Sequence, residues 1–108
     1  MNAADAKTML PIGSIVTLEG GSKKLMIIGR CQQNNDELYD YTAVLYPEGM
    51  LMTDEVYLFN KADISHVHFT GYQDAEEMQL KEFIFNKLQE LDLLDRPEDG
   101  QDITKSMT

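Results

Sequence analysis

Two histidines and one cysteine are the residues of this chain best suited to bind a metal ion or take part in catalysis. His66 and His68 lie two residues apart in a segment rich in β-formers, so on a strand both point to the same side of the sheet. Two imidazoles at that spacing can bind zinc, but a tetrahedral site needs further ligands. Cys31, Glu55 and Asp63 do not stand at a ligand-like spacing from them. We therefore expect no metal site, no bound cofactor and an exposed polar strand face.

Nucleophilic catalysis is the second chemistry to consider. Cys31 with a histidine could supply a nucleophile and its base, but the local sequence GRCQQ has no nucleophile motif, and a free cysteine is more often a small buried hydrophobe. The carboxylates fall in turns and on a helix, where solvation is the usual state. We therefore expect that the protein is not an enzyme and has no catalytic residues.

The stretch LEGGSKKLMIIGR (18–30) combines glycines, a hydroxyl and two lysines. A phosphate-binding loop needs a helix directly after it, because the amides at the helix N-terminus hold the anion. Here the β-rich run LMIIG follows, so the segment is predicted to be the turn of a β-hairpin with Lys23 and Lys24 solvated at its tip.

Length, charge and cysteine content restrict the class of protein. The chain has 108 residues, enough for one domain, and its formal net charge is −10. That charge disfavours nucleic-acid and anionic-membrane partners, and it favours a basic or mixed-charge protein partner. No apolar run reaches the roughly 18 residues of a membrane span, and the first ten residues do not resemble a signal peptide. With a single cysteine, these features predict a cytoplasmic protein without membrane insertion.

The elements that would position these residues change in character near residue 74. Between residues 14 and 72 we expect about five short strands joined by turns, with KADIS (61–65) as a single helical turn. Residues 50–60 are ambiguous between a strand and an irregular connection. The sequence predicts a flexible N-terminus at 1–10, one α+β domain at 11–95 and a disordered tail at 96–108.

The last element is an amphipathic helix predicted over 74–93. Asp74 is a good N-cap and Glu77 completes an acidic capping box. A single apolar stripe follows at helical spacing, and it either covers the sheet or binds a partner. The stripe consists of Leu80, Ile84, Leu88 and Leu91.

Short strands with tight turns followed by one helix predict an α+β fold. The strand lengths favour a small antiparallel, partly open, SH3-like β-barrel of about five strands, followed by the amphipathic C-terminal helix.

A protein-binding surface is expected on the YPEGML loop (46–51) and on the helix. Methionines give an adaptable surface, and tyrosines suit either recognition or half-buried packing. An open sheet edge that accepts an added strand is the alternative. The residues expected to contact a partner are Tyr46, Pro47, Glu48, Met50, Met52, Glu76, Leu80, Phe83 and Leu91.

Three blocks of sequence resemble one family of small bacterial proteins, the domain of unknown function 4176 family. The blocks are LPIGSIVTLEGGSKKLMIIGR, YDYTAVLYPEGM and LFNKADISHVHFTGYQDAEE, and together they cover roughly residues 10–80. Members of this family resemble accessory proteins encoded in the type VII secretion loci of Gram-positive bacteria, beside toxins with an LXG domain. The family has no known catalytic residues.

The resemblance implies a non-catalytic cytoplasmic adaptor or targeting chaperone that binds an LXG-type toxin for type VII secretion. An immunity protein that neutralises a cognate toxin is the alternative, since acidity suits a partner with a basic cleft. A homo-oligomer is a further alternative, because the apolar stripe of the predicted helix, if the sheet leaves it uncovered, could pair with the same stripe of a second copy.

Overall fold

The computed structural model describes residues 1–94, which form a five-stranded antiparallel sheet with a helix near each end of the described chain. The disordered tail expected at 96–108 lies outside these residues. The elements are α1 (Ala3–Lys7), β1 (Ile15–Leu18), β2 (Leu25–Asn34), β3 (Glu37–Leu45), β4 (Tyr57–Phe59), a 3-10 turn (Lys61–Asp63), β5 (Ile64–Phe69) and α2 (Ala75–Glu90).

The sheet has the strand order β4-β3-β2-β1-β5, and all neighbouring strands are antiparallel. The described sheet does not close, so β4 and β5 are its two edges. The predicted α+β class, with about five antiparallel strands and a helix after them, is confirmed. Of the ambiguous segment 50–60, only Tyr57–Phe59 is a strand. No helix within residues 1–94 is both long and apolar enough to cross a membrane.

The glycine-rich segment between β1 and β2 is a turn, as its sequence predicts. Gly21 N donates to the Leu18 carbonyl at 3.0 Å, and Gly20 has a φ of +79°, a conformation that glycine adopts at little cost. The next hairpin is tighter, since Asn34 pairs directly with Glu37 across a two-residue loop.

The core lies against one face of this sheet. Tyr41 and Phe59 pack with ring centroids 5.7 Å apart, and the buried Tyr41 hydroxyl accepts a hydrogen bond from Leu10 N at 3.0 Å. Burial raises the pKa of Tyr41 above its ordinary value. The buried cluster comprises Val16, Leu25, Ile27, Tyr41, Ala43 and Phe59, with Leu10, Leu18, Leu45 and Ile64 packed against it.

The 3-10 turn is fixed to β3 by reciprocal hydrogen bonds. Asp40 N donates to Asn60 Oδ1 at 3.0 Å, and Lys61 N donates to Asp40 Oδ2 at 2.8 Å. Asn60 N also donates to Asp63 Oδ2 at 2.9 Å. The single helical turn predicted at KADIS is thus present, and it connects the two edge strands.

The N-terminal segment differs from the flexible arm that its small polar residues predict. Asn2 caps α1 by accepting a hydrogen bond from Asp5 N at 2.8 Å, and Ala6 and Met9 are fully buried. A five-residue helix has no stability of its own, so α1 depends on tertiary packing against α2.

Candidate protein-binding site

Helix α2 begins at the N-cap that the sequence predicts. Glu77 N donates to Asp74 Oδ1 at 3.1 Å, and the helix runs from Ala75 to Glu90. The side chain of Glu77 does not complete the expected capping box with Asp74; it turns inward and contacts β2.

A buried ion pair attaches the first turn of α2 to the sheet. Nη1 and Nη2 of Arg30 both donate to the Glu77 carboxylate, with Nη2 3.0 Å from Oε1. The Arg30 and Glu77 side chains are 5% and 12% exposed, and Arg30 also donates to the Leu10 carbonyl at 3.4 Å. Two parallel charge-assisted bonds fix orientation as well as distance. The pair therefore sets how α2 is rotated against the sheet.

Lys81 lies one turn further along the same inward face. Its Nζ atom is 3.9 Å from Glu77 Oε2 and donates to Gln73 Oε1 at 3.0 Å. Beyond it, Ile84 is half-buried and Leu88 is buried. The inward face of α2 is thus polar in its first two turns and apolar only near its C-terminal end.

The outward position of three large apolar side chains follows from that rotation. Leu80, Phe83 and Leu91 are 44%, 62% and 54% exposed. We call these three residues the helix stripe. The four apolar residues predicted to form one stripe (80, 84, 88 and 91) do not share one side of the helix. Leu88 faces inward, whereas Leu80 and Leu91 face outward.

Helix α1 covers another side of α2. The Lys7 ammonium lies 4.7 Å from the centroid of the Phe85 ring, a cation–π contact. Phe85 is therefore half-buried, and it does not extend the exposed apolar surface as Phe83 does.

The loop after β3 forms a second exposed apolar surface. Tyr46, Met50, Leu51 and Met52 are 43%, 47%, 70% and 64% exposed, and the Tyr46–Pro47 peptide bond is cis. We call residues 46–52 the YPEG loop.

The YPEG loop contacts the first hairpin. Tyr46 N donates to the Lys24 carbonyl at 2.9 Å, and the Glu48 carboxylate lies 2.6 Å from the Lys23 ammonium. The hydrogen bond from Lys23 lowers the pKa of Glu48. Lys23 is thus paired across the two loops, whereas the sequence predicts only solvation for it.

The residues expected to bind a partner fall into two groups. Glu76, Leu80 and Phe83 lie on α2, and Leu91 is its C-cap residue. The salt bridge to Arg30 attaches α2 to β2 at the position where Arg30 pairs with Tyr41 of β3. The YPEG loop follows the far end of the β2–β3 ladder, where Leu25 pairs with Leu45. Both groups are exposed, but they are attached five residues apart along β2. Sequence patterns do not identify Arg30 or Lys81 as buried residues. A charged side chain is expected to be exposed unless its ion-pair partner is known.

His66 and His68 lie on β5, and Cys31 lies on β2. His68 lines a shallow cavity together with Tyr46 of the YPEG loop. The His66 and His68 rings stack with centroids 5.8 Å apart, and His68 Nε2 is 2.7 Å from Thr17 Oγ1. Cys31 Sγ lies 3.8 Å from Met9 Sδ, and burial raises the pKa of its thiol. A raised pKa disfavours the thiolate needed for nucleophilic attack. Residues 1–94 contain no group of three histidine, cysteine, aspartate or glutamate residues placed to hold a metal ion.

The fold and these surfaces define a small α+β domain with an exposed apolar helix face. The chain belongs to the family described as Domain of unknown function (DUF4176), which it matches over residues 9–80. That range covers the whole sheet and the first turns of α2, including Arg30 and Glu77. No curated protein and no solved structure shows a significant match to the chain.

Proposed function

We propose that the protein is a non-catalytic cytoplasmic adaptor that binds another protein through the helix stripe. The observation that carries this proposal is the orientation of α2. This helix directs Glu77 and Lys81 toward the sheet, while Leu80 and Phe83 face solvent. Contiguous exposed apolar side chains on a small domain mark interaction surfaces more often than chance.

The spacing of the helix stripe supports binding in a groove. Leu80 and Phe83 stand at i and i+3 on α2, a spacing by which an amphipathic helix anchors in an apolar groove, and Leu91 follows as the C-cap residue. Glu76 and Glu90 are exposed on the same helix, and their charge favours a groove with basic residues at its rim.

The resemblance to accessory proteins of type VII secretion loci supports a particular partner. On that basis the partner is an LXG-type toxin, and the protein acts before export as an adaptor or targeting chaperone. The YPEG loop then serves as a second contact, since its tyrosine and methionines are exposed.

Co-expression with the LXG toxin encoded in the same locus tests the proposal. The two proteins are expected to elute together in size-exclusion chromatography. The double variant Leu80→Ser/Phe83→Ser should weaken binding about tenfold or more, because apolar anchors carry most of the binding free energy. Met78→Ser is the matched control, since Met78 is 56% exposed on the same helix but outside the stripe.

Separate elution of the two proteins would contradict the adaptor proposal, as would equal losses from the stripe variant and the Met78 control. A growth assay distinguishes the immunity alternative. If the protein restores growth to cells that produce the toxin, neutralisation replaces targeting as the function.

We infer that the sheet is a partly open, SH3-like barrel, because β5 pairs with β1 and follows a single 3-10 turn after β4. An experimental structure compared with SH3-like barrels checks this inference.

A further inference from the structure

The two histidines of the chain lie side by side on a bulged part of β5. Val67 and Phe69 pair with successive residues of β1, so His68 between them is an extra residue in the ladder. A bulge of this kind redirects a side chain from the regular alternation of a strand. The His66 and His68 rings stack with centroids 5.8 Å apart and an interplanar angle of 20°. Both side chains are exposed, so both imidazoles can reach one ligand.

Thr17 on β1 fixes this part of β5. Its Oγ1 atom is 2.7 Å from His68 Nε2, and its carbonyl accepts a hydrogen bond from Ser65 Oγ at 3.0 Å. With Nε2 engaged, Nδ1 is the nitrogen of His68 that can bind a metal ion. Histidines that bind metal ions usually donate their other ring N–H to an oxygen, which fixes the tautomer and the ring orientation. Thr17 supplies such an oxygen before any metal is bound.

The available donor atoms favour zinc over calcium or magnesium. Imidazole nitrogen suits zinc, whereas calcium and magnesium require oxygen ligands, chiefly carboxylates and carbonyls. The described linings of the two shallow cavities beside His66 and His68 contain no carboxylate. They include Lys24 and Lys61, but the Lys61 ammonium lies 3.6 Å from the Asp5 carboxylate. The net charge of −10 attracts a divalent cation to the chain as a whole.

One chain supplies only half of a zinc site. Structural zinc ions have four ligands in a tetrahedral arrangement. Within residues 1–94 no third histidine, cysteine, aspartate or glutamate is placed to join this pair, which is why the sequence alone predicts no metal site. A second copy of the chain brings an identical pair of imidazoles. A twofold axis through the ion would place all four around it, as in the symmetric interfaces of most homodimers.

We propose that His66 and His68 bind a zinc ion that two copies of the chain share, each copy supplying two imidazoles. The ion joins copies that would otherwise repel each other, since each carries a net charge of −10. This site is separate from the helix stripe, and the inference does not depend on the adaptor function or on the toxin as the partner.

Sedimentation of the full chain with zinc chloride tests the proposal. Zinc should produce a dimer that saturates at one ion per two chains, and EDTA should reverse it. Magnesium chloride should have no such effect, because the site offers only nitrogen ligands. His66→Ala and His68→Ala should each abolish the zinc-dependent dimer. Thr17→Val should weaken zinc binding about tenfold, because it removes the oxygen that orients His68.

Two variants serve as controls for the zinc experiment. Cys31→Ala and the helix stripe variant Leu80→Ser/Phe83→Ser should dimerise with zinc as the unaltered chain does, since neither changes a proposed ligand. Circular dichroism without metal checks that the histidine variants are folded. Zinc binding without dimerisation, a zinc-dependent dimer that survives His66→Ala, or an equal response to magnesium would each overturn the proposal. The adaptor test can be run in EDTA, so the two tests fail independently.

Discussion

Gly71 lies where the chain crosses from β5 toward α2, and it packs against the turn before β1. Its amide donates to Ser14 Oγ at 3.0 Å, and the residue is buried. A Cβ atom added at Gly71 would stand 2.1 Å from the Ile12 carbonyl oxygen, well inside van der Waals contact. The neighbouring atoms are backbone, so the clash cannot be relieved by a side-chain rotation.

Gly71→Ala is therefore expected to lower the free energy of unfolding by about 1–3 kcal/mol, as overpacked sites do. Urea denaturation followed by circular dichroism measures it. Gly21→Ala is the control, because a Cβ there would lie an ordinary 3.6 Å from the Leu18 carbonyl oxygen. A loss from Gly71→Ala no larger than that of the control would show that the crossing is not tightly packed.

The Arg30–Glu77 pair predicts a second residue-level effect. Glu77→Leu should lower the free energy of unfolding by about 3–5 kcal/mol, because it leaves the Arg30 charge buried without its partner. The double variant Arg30→Met/Glu77→Leu should recover much of that loss. Urea denaturation of both variants completes the measurement.

Glu90→Leu serves as the control for the ion pair. The Glu90 carboxylate lies 3.1 Å from Lys87 Nζ on the same helix, but both side chains are more than half exposed. An exposed pair contributes roughly 0–1 kcal/mol. Similar losses from Glu77→Leu and Glu90→Leu would contradict a structural role for the buried pair.

Helix α2 shows which features of a helix can be predicted from its sequence and which cannot. The sequence predicts the N-cap and the approximate length of the helix, since these depend on local spacing. It does not predict which side faces the sheet, because Leu80 and Leu88 are equivalent as apolar residues. The choice is made by Arg30, which lies 47 residues before Glu77 and pairs only with that turn of the helix.

Packing of α1 against α2 gives a prediction for these two elements together. Ala6→Lys should lower the free energy of unfolding by at least about 2 kcal/mol, since it forces a charged side chain into a fully buried position. Ala4→Lys is the matched control, because Ala4 is exposed on the same short helix. Urea denaturation, together with hydrogen exchange of the α2 amides, measures the effect. If the two variants behave alike, α1 does not stabilise α2.

The whole molecule carries a net charge of −10. If its partner is basic at the contact surface, electrostatic attraction accelerates the encounter and salt screens it. The association rate constant should therefore fall about tenfold between roughly 0.05 M and 0.5 M salt. Stopped-flow or surface plasmon resonance measurements test this expectation.

Phe83→Ser provides the comparison for the salt experiment. Removal of an apolar anchor should raise the dissociation rate constant and leave the salt dependence of association unchanged. An association rate that does not respond to salt would show that the acidic surface plays no part in recognition.

The sequence predicts the two hairpin turns better than it predicts the N-terminal helix. The GGSK and NNDE turns act through residues that are adjacent in sequence, so glycine and asparagine mark them directly. Helix α1 has too few residues to show a period, and its burial depends on α2, more than 65 residues later. Leu80 and Phe83, which the sequence suggests as partner contacts, are exposed, but their exposure results from the Arg30–Glu77 salt bridge, which no local pattern predicts.

The position of α1 has a consequence for how new partners could arise. Met9 contacts Cys31 on β2, and Lys7 contacts Phe85 on α2. The N-terminal segment therefore packs against both the sheet and the helix, and we call it the wedge. Substitutions in the wedge would tilt α2 and re-aim its apolar residues without replacing any of them. If α2 binds a partner as proposed, selection acting on the first ten positions would thereby change recognition while the exposed residues of α2 stay constant.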